Sequence, residues 1–318
     1  VNCVVTGGAG FIGSTLVDRL LAEGHEVEVI DDFSSGRLSN LAEARTTENV
    51  SIHQMDIRDN RVIELIEHCE PSVIFHLAAQ ADVRVSVADP VFDASINILG
   101  TLNVLEGARR AGARRVVAAA SGGTLYGEPS DTEIPTREAV AHRPLSPYGV
   151  SKKAMIDYLV AYRELHGLEF MALALANVYG PRQDSHGEAG VVAIFAEKLL
   201  RGEQITIFGD GNQTRDFVYV DDVVDAFVRA GSRSGGLVVN IGTGEELSVN
   251  EIYAALASRV SGEPPPPRFE PPRAGEVLRS CLNVERAAMQ LEWRPWTTFD
   301  VGARLTMASV EERIADEA

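Results

Sequence analysis

Tyr148 and Lys152 stand four residues apart in the stretch S-P-Y-G-V-S-K, a spacing that puts two side chains on one face of a helix. There an ammonium stabilises a phenolate and lowers a tyrosine pKa that is about 10 in water. Upstream, Ser121 opens the stretch S-G-G-T-L-Y-G, and a hydroxyl from that strand end would join the pair over a substrate alcohol. Such a trio removes a proton from an O–H while hydride leaves the adjacent carbon. A tyrosine four residues before a lysine is common by chance. The pattern gains force because a nucleotide fingerprint opens the same chain.

That fingerprint is T-G-G-A-G-F-I-G, from Thr6 to Gly13, between an apolar run and the start of a helix. Gly7 permits the tight turn, Gly10 lets the backbone approach a pyrophosphate, and Gly13 allows close helix packing. The phosphates would sit at the helix N-terminus, where unpaired N–H groups and the dipole favour anions. Asp31 ends the second strand, 18 residues after Gly13. A carboxylate there accepts hydrogen bonds from both adenosine ribose hydroxyls and repels a 2′-phosphate, so NAD is favoured over NADP. Asp56 and Ile57, after the third strand, would flank the adenine. Leu77, Ala78, Ala79 and Gln80 end the fourth strand with small residues, where a flat ring could lie close to backbone. His76 reads as a packed core histidine rather than a ligand or base.

The elements that must position these groups follow from hydrophobic period. Cys3–Thr6, Glu26–Ile30, Val50–Gln54, Val73–Leu77, Val116–Ala120 and Phe170–Ala176 read as strands. Helical stretches lie between them at about 12–23, 59–69, 91–111 and 148–166. This alternation predicts an α/β fold: a Rossmann-type, doubly wound parallel sheet with helices on both faces. The unbroken apolar run of residues 73–79 suits a strand covered on both sides. Past Asn177 the rhythm breaks, and prolines cluster at 264–267 and 271–272. The reading is a NAD-binding domain over residues 1–176 and a smaller α/β substrate domain over 177–318, with a strand near 237–241 returning to the first.

Bulk properties narrow the class. The chain has 318 residues, 45% apolar and 24% charged, as in an ordinary globular protein. Its formal charge of −17 counts against nucleic acid or an anionic membrane as partner. A few arginines converging on one cleft could still reverse the local field for a small anion. No apolar stretch approaches the roughly 20 residues that span a bilayer. The first residues run straight into a strand, so no signal peptide is expected, and Cys3, Cys69 and Cys281 lie far apart without metal spacing. A cytoplasmic protein with no metal site and no disulfide framework is expected.

Further motifs carry a family resemblance: H-L-A-A-Q, N-x-x-G-T from Asn97 to Thr101, S-P-Y-G-x-S-K, N-V-Y-G-P-R-Q, G-D-G-x-Q-x-R-D-F-V-Y-V-D-D and N-I-G-T-G. With the fingerprint they resemble the extended short-chain dehydrogenases/reductases across nearly the full length, and within them the UDP-glucose (UDP-galactose) 4-epimerases. The resemblance implies that Tyr148 takes the substrate O4 proton as hydride passes from C4 to tightly bound NAD. The same hydride then returns to the opposite face of a 4-keto sugar. Lys152 would hold the tyrosine pKa and bond the nicotinamide ribose. Phe11, Ile12, Asp32, Ser35, Gly36 and Asn97 would join the cofactor site.

Related 4,6-dehydratases carry an aspartate and a glutamate where this chain has Gly123 and Thr124, so elimination lacks its acid and base. Nucleotide-sugar decarboxylases carry that glutamate too. Many 4-epimerases place the catalytic hydroxyl where this chain has Gly122; Ser121, with Thr124 in reserve, is the expected replacement. Ala174-Leu175 also replaces a common Arg-Tyr, which removes one contact beside the nicotinamide.

On the substrate side, the resemblance gives Arg215, Arg273 and Asn177 to the diphosphate and leaves Arg182 as either a ligand or an ion-pair partner. The loop of residues 187–192, including Val191, would lie against uracil, and Glu276 would hold a ribose hydroxyl. Ser280 falls where relatives have a bulky tyrosine or a small residue, and a small one leaves room for a 2-acetamido group, admitting UDP-GlcNAc and UDP-GalNAc. Helices at 91–111 and 148–166 resemble the pair that makes a four-helix homodimer interface. The alternatives are a UDP-glucuronate 4-epimerase, another nucleotide-sugar epimerase or reductase, and, more remotely, a non-catalytic NAD sensor.

Overall fold

Alternate residues of a strand face opposite sides of its sheet, and the first strand shows what that does here. Val4 belongs to one buried cluster and Val5 to another, one on each face of a single sheet. The computed structural model describes residues 1–185, 190–233, 235–272 and 277–316.

The first part runs β1 (Asn2–Thr6), α1 (Phe11–Ala22), β2 (Glu26–Asp31), β3 (Val50–Gln54), α2 (Arg61–Cys69) and β4 (Val73–His76). It continues through α3 (Val83–Ala88), α4 (Pro90–Ala94), α5 (Thr101–Ala111), β5 (Arg115–Ser121), α6 (Gly122–Leu125), α7 (Pro147–His166) and β6 (Glu169–Leu175). Strand limits differ from the sequence reading by no more than one residue. The 91–111 helix does not hold as read. It divides into α4, a π-helical segment over Ser95–Gly100, and α5. No proline interrupts residues 95–100 to mark the change; what distinguishes the segment is Asn97, whose side chain reaches across to the loop after β4.

The second part adds β7 (Asn177–Tyr179), α8 (Val191–Leu200), β8 (Thr206–Phe208), β9 (Thr214–Arg215), β10 (Phe217–Tyr219), α9 (Val220–Ser232) and β11 (Leu237–Ile241). Then follow β12 (Leu247–Ser248), α10 (Val249–Ala257), β13 (Arg268–Glu270), β14 (Arg279–Ser280), α11 (Glu285–Leu291) and α12 (Phe299–Asp316). The main sheet has seven strands in the order β3-β2-β1-β4-β5-β6-β11, all parallel. Its strand order reverses between β1 and β4, and a crevice at such a switch point is where open α/β sheets bind ligands.

On one face, Val5, Val29, Phe75 and Leu173 pack with Leu16 and Leu20 of α1 and Val223 and Phe227 of α9. The other buries Val4, Ile30, Ile74 and Val116 under Ile66 of α2, Leu105 of α5 and Met155 of α7. Each fully buried aliphatic side chain contributes about 1.5–3 kcal/mol relative to exposure. Helix α7 begins where Ser146 accepts a hydrogen bond from the Gly149 N–H at 3.2 Å, with Pro147 in its first turn. It ends at Gly167, in the left-handed conformation with φ +70°. The start of α9 also fixes the approach to α12: buried Asp222 accepts from the Trp296 and Thr297 N–H groups, both at 3.0 Å. Among the described residues, no helix is long and apolar enough to cross a membrane.

Candidate active site

The cofactor cradle is built from backbone before side chains. Gly7 leaves β1 at φ +71°, and a Cβ on Gly13 would stand 2.0 Å from the Gly7 carbonyl oxygen. Only glycine lets α1 start this close to the loop. Gly10 caps α1 with no side chain, and the first turn of α1 holds no acidic residue, so an anion meets neither bulk nor repulsion there. Phe11 and Ile12 form that turn. Asp31 is buried, and its oxygens accept from the Ala9 N–H at 2.9 Å and the Phe33 N–H at 2.8 Å. Burial pushes its carboxyl above the usual range, while these bonds pull the other way. Each oxygen keeps acceptor capacity for a hydroxyl. Gly36 lies against Asp31 and Ala9, next to Ser35, and Asp32 closes its own turn by accepting from the Ser34 N–H at 2.9 Å. The narrow cradle and the buried carboxylate beside it fit a dinucleotide's pyrophosphate and ribose.

The rest of the predicted cofactor set divides. Leu77, Ala78 and Ala79 follow β4, and Ala78 sits against Gly7. Ile57 is buried beneath the π segment, packed on Gly100, but Asp56 is held by Arg58, whose Nε lies 2.9 and 3.1 Å from its two oxygens. That guanidinium holds the Asp56 carboxyl below its ordinary range. The Gln80 and Asn97 side chains bond within the protein. Asn97 accepts from the Gln80 N–H at 3.0 Å and donates to the Gln80 carbonyl at 2.8 Å and to Asp93 at 3.0 Å. Both residues therefore shape the strand-end loop, because their polar atoms are already bonded.

At the reacting end, Lys152 is 4% exposed and donates to the Ala119 carbonyl at 3.0 Å, with its Nζ 5.8 Å from the centre of the Tyr148 ring. Burial lowers its pKa to about 8, opposed by the charge of Asp93. His76 is 2% exposed and hydrogen-bonded to Thr6 Oγ1 at 2.7 Å and Thr101 Oγ1 at 2.9 Å. Burial first, then the Lys152 charge, lowers it to about 3, so it is a neutral bracket between β1 and α5. Ser121 ends β5, and Thr124 lies one turn on in α6 with a buried Oγ1 that has no protein partner. Thr124 adjoins Gly149 in the first turn of α7, next to Tyr148. A Cβ at Gly122 would stand 2.4 Å from Leu282 Cδ1 and 3.1 Å from the Leu175 carbonyl oxygen, so a side chain there would require Leu282 to shift. Tyr126 is spoken for: its hydroxyl donates to Asn240 of β11 at 2.7 Å.

On the substrate side, Arg215 and Ser280 are register partners in β9 and β14. The exposed Asn177 joins them, since its N–H donates to the Asp216 carbonyl at 2.9 Å. Asp216, 2% exposed, accepts from Thr243 N–H at 2.7 Å, Gly244 N–H at 3.1 Å and Leu282 N–H at 3.3 Å. This clasp was missed because it joins two motifs, R-D-F and G-T-G, that are distant in sequence. Asp93 was missed as well, since nothing near it in sequence marks it as buried. Val191 begins α8, and Arg182 is paired with Asp18 of α1 at 2.6 Å, so it belongs to the ion pair. Arg273, Glu276 and residues 187–189 of the uracil-side loop lie outside the described residues. Glu28, His53 and Cys69 bring donor atoms within 4.8 Å of one another at the sheet edge, where Glu28 and His53 already hydrogen-bond at 2.7 Å.

A dinucleotide cradle in one chain with a buried lysine and its tyrosine is the equipment of a nicotinamide-dependent enzyme that works on an alcohol. Residues 3–242 match the NAD dependent epimerase/dehydratase family, and the chain belongs to it. It is 52% identical over 308 residues to the UDP-glucose 4-epimerase of Mycolicibacterium smegmatis, covering 96% of this chain and 97% of that one. The solved UDP-glucose 4-epimerase of Thermotoga maritima with UDP-glucose superposes with a TM-score of 0.94 at 41% identity, covering 99% of this chain and 100% of that one. A Thermus thermophilus UDP-glucose 4-epimerase complex with NAD gives a TM-score of 0.89, also at 41% identity, covering 98% and 99%.

Proposed function

We propose that this chain is an NAD-dependent UDP-glucose/UDP-galactose 4-epimerase. The observation that carries the reading is the Tyr148–Lys152 pair, with Nζ 5.8 Å from the ring centre, in a chain 52% identical over 96% of its length to a UDP-glucose 4-epimerase. Gly7, Gly10, Gly13 and Asp31 would hold NAD, which when bound takes up hydride from the sugar and gives it back.

Tyr148 removes the O4 proton and later returns it, and Lys152 favours the phenolate by its charge. Ser121 or Thr124 orients O4; the unpartnered Thr124 hydroxyl makes it as strong a candidate as the strand-end serine. Gly123 and Thr124 offer no carboxyl group for elimination or decarboxylation, so returning hydride to the other face is the simplest outcome. Arg215 grips the diphosphate together with Arg273, Asn177 bonds it, and Val191 and Glu276 flank the uridine. Ser280, beside Arg215, leaves space for an acetamido group. Exposed Val91, Leu99, Val150 and Leu165 on the α4–α5 stretch and α7 support a homodimer through those helices.

Purified protein incubated with UDP-galactose, without added reductant, is expected to yield UDP-glucose with no net NADH. UDP-galactose returned unchanged while UDP-galacturonate is converted would move the reading to a uronate epimerase. No conversion of any nucleotide sugar would overturn it.

A further inference from the structure

We propose that Asp93 is a positioning residue for this reaction, its buried carboxylate holding Lys152 as an ammonium while Tyr148 gains and loses its proton. The proposal rests on the epimerase reading for its role but not for its test. Asp93 lies on α4, which packs against α7, and is 1% exposed. Its Oδ1 accepts from Gln80 Nε2 at 2.9 Å and Asn97 Nδ2 at 3.0 Å. The same Asn97 amide reaches Ser151 Oγ at 3.3 Å, the residue before Lys152. Two neutral amides orient a carboxylate without neutralising it, and a buried carboxylate needs a cation.

Lys152 is the cation that this network approaches: its helix packs on α4, the Asn97 amide joins Asp93 to the residue before it, and the Asp93 charge opposes the burial that lowers the lysine's pKa. The other cation beside α4, Arg58, lies over the Phe92 ring and is taken by Asp56. His76 from β4 is kept neutral, Tyr148 shares α7 with the lysine, and Asp82 beside α3 is bound to Arg84 at 2.7 Å. The Ala119 carbonyl of β5 and Asn97 of the π segment bring dipoles but no charge. An epimerase must give O4 back a proton for the one it removed. When Tyr148 takes the O4 proton its negative charge disappears, and the lysine loses one stabilising anion. Asp93 stays, so Lys152 keeps its proton and Tyr148 remains the only carrier between the two half-reactions.

The sequence has three lysines, Lys152, Lys153 and Lys198, so selectively labelled lysine side chains can be resolved by NMR. Asp93→Asn keeps an acceptor for both amides and removes only the charge. In the NAD-loaded protein its Lys152 titration midpoint should fall by about one pH unit, with Lys153 and Lys198 unmoved. The alkaline limb of kcat should move down with it while KM for UDP-galactose stays within about twofold. Asp93→Glu should restore the midpoint. An unmoved Lys152 midpoint would overturn the proposal even if kcat fell. Absence of epimerisation by the parent protein would sink the functional reading and leave the titration result standing. If Asp93→Asn loses its melting transition, Asp93→Ser is read in the same way. Unfolding of both would assign the carboxylate to the fold and overturn the role.

Discussion

Asp31 and Asp216 are both buried carboxylates fastened to backbone N–H groups, and they hold different things. Asp31 ties the glycine loop to the end of its own strand and stays at the rim, where it can also meet a ribose. Asp216 is sealed behind the substrate side and draws together the turn after β11 and the start of the segment after β14. The groups proposed to face a sugar nucleotide there include its neighbours, Arg215 and Ser280, on strands of two residues each. On the proposed reading, one end would grip with rigid backbone and the other with long side chains on short supports. That division suits a reaction in which the cofactor must not leave while a sugar ring turns over.

The contrast can be broken most sharply at the acid–base pair. Tyr148→Phe should lower kcat by about 10²- to 10⁴-fold with NAD content and melting temperature intact; a smaller loss would mean that another group carries the proton. In the unaltered protein kcat should decline above about pH 8, where the buried Lys152 releases its proton. Because an unfolded lysine keeps its proton up to about 10.5, this group's contribution to stability should become more favourable between 8 and 10.5.

Next in size, Asp31→Asn should weaken NAD retention by about 10- to 100-fold without raising KM for UDP-galactose, as measured by cofactor content after dialysis. If KM rose instead, the two ends would not be separable. Asp216→Asn should do the reverse: KM rises, NAD stays, and stability drops by about 1–3 kcal/mol as one N–H loses its acceptor. Calorimetry beside KM decides it. The smallest effect belongs to Ser280→Tyr, which should reduce the rate on UDP-N-acetylgalactosamine about tenfold relative to UDP-galactose. An unchanged ratio would remove Ser280 from specificity.

The glycine loop and its aspartate were legible because each acts on residues within a single βαβ unit, so spacing alone carried the geometry. Tyr148 and Lys152 were legible for the same reason, sharing one helix. Asn97 and Gln80 read as ligand groups and proved to be bonded to each other, since sequence shows a polar residue near a site but not which way it turns. Asp93 and Asp216 depend on partners brought together only by the fold. The π segment has no local signature at all.

Strand β11 has a consequence for how the chain is made. It covers the edge of β6, yet Leu237 is synthesised long after Leu175, with α8, α9 and four short strands made in between. Until the ribosome has delivered residues 237–241, a strand buried on both faces has one naked row of amides and carbonyls. Pairings this distant form slowly, and an open apolar edge invites other chains in the meantime. Solubility on overexpression should thus respond to changes in β11 and to slower translation through residues 177–236 more than to changes in the catalytic residues.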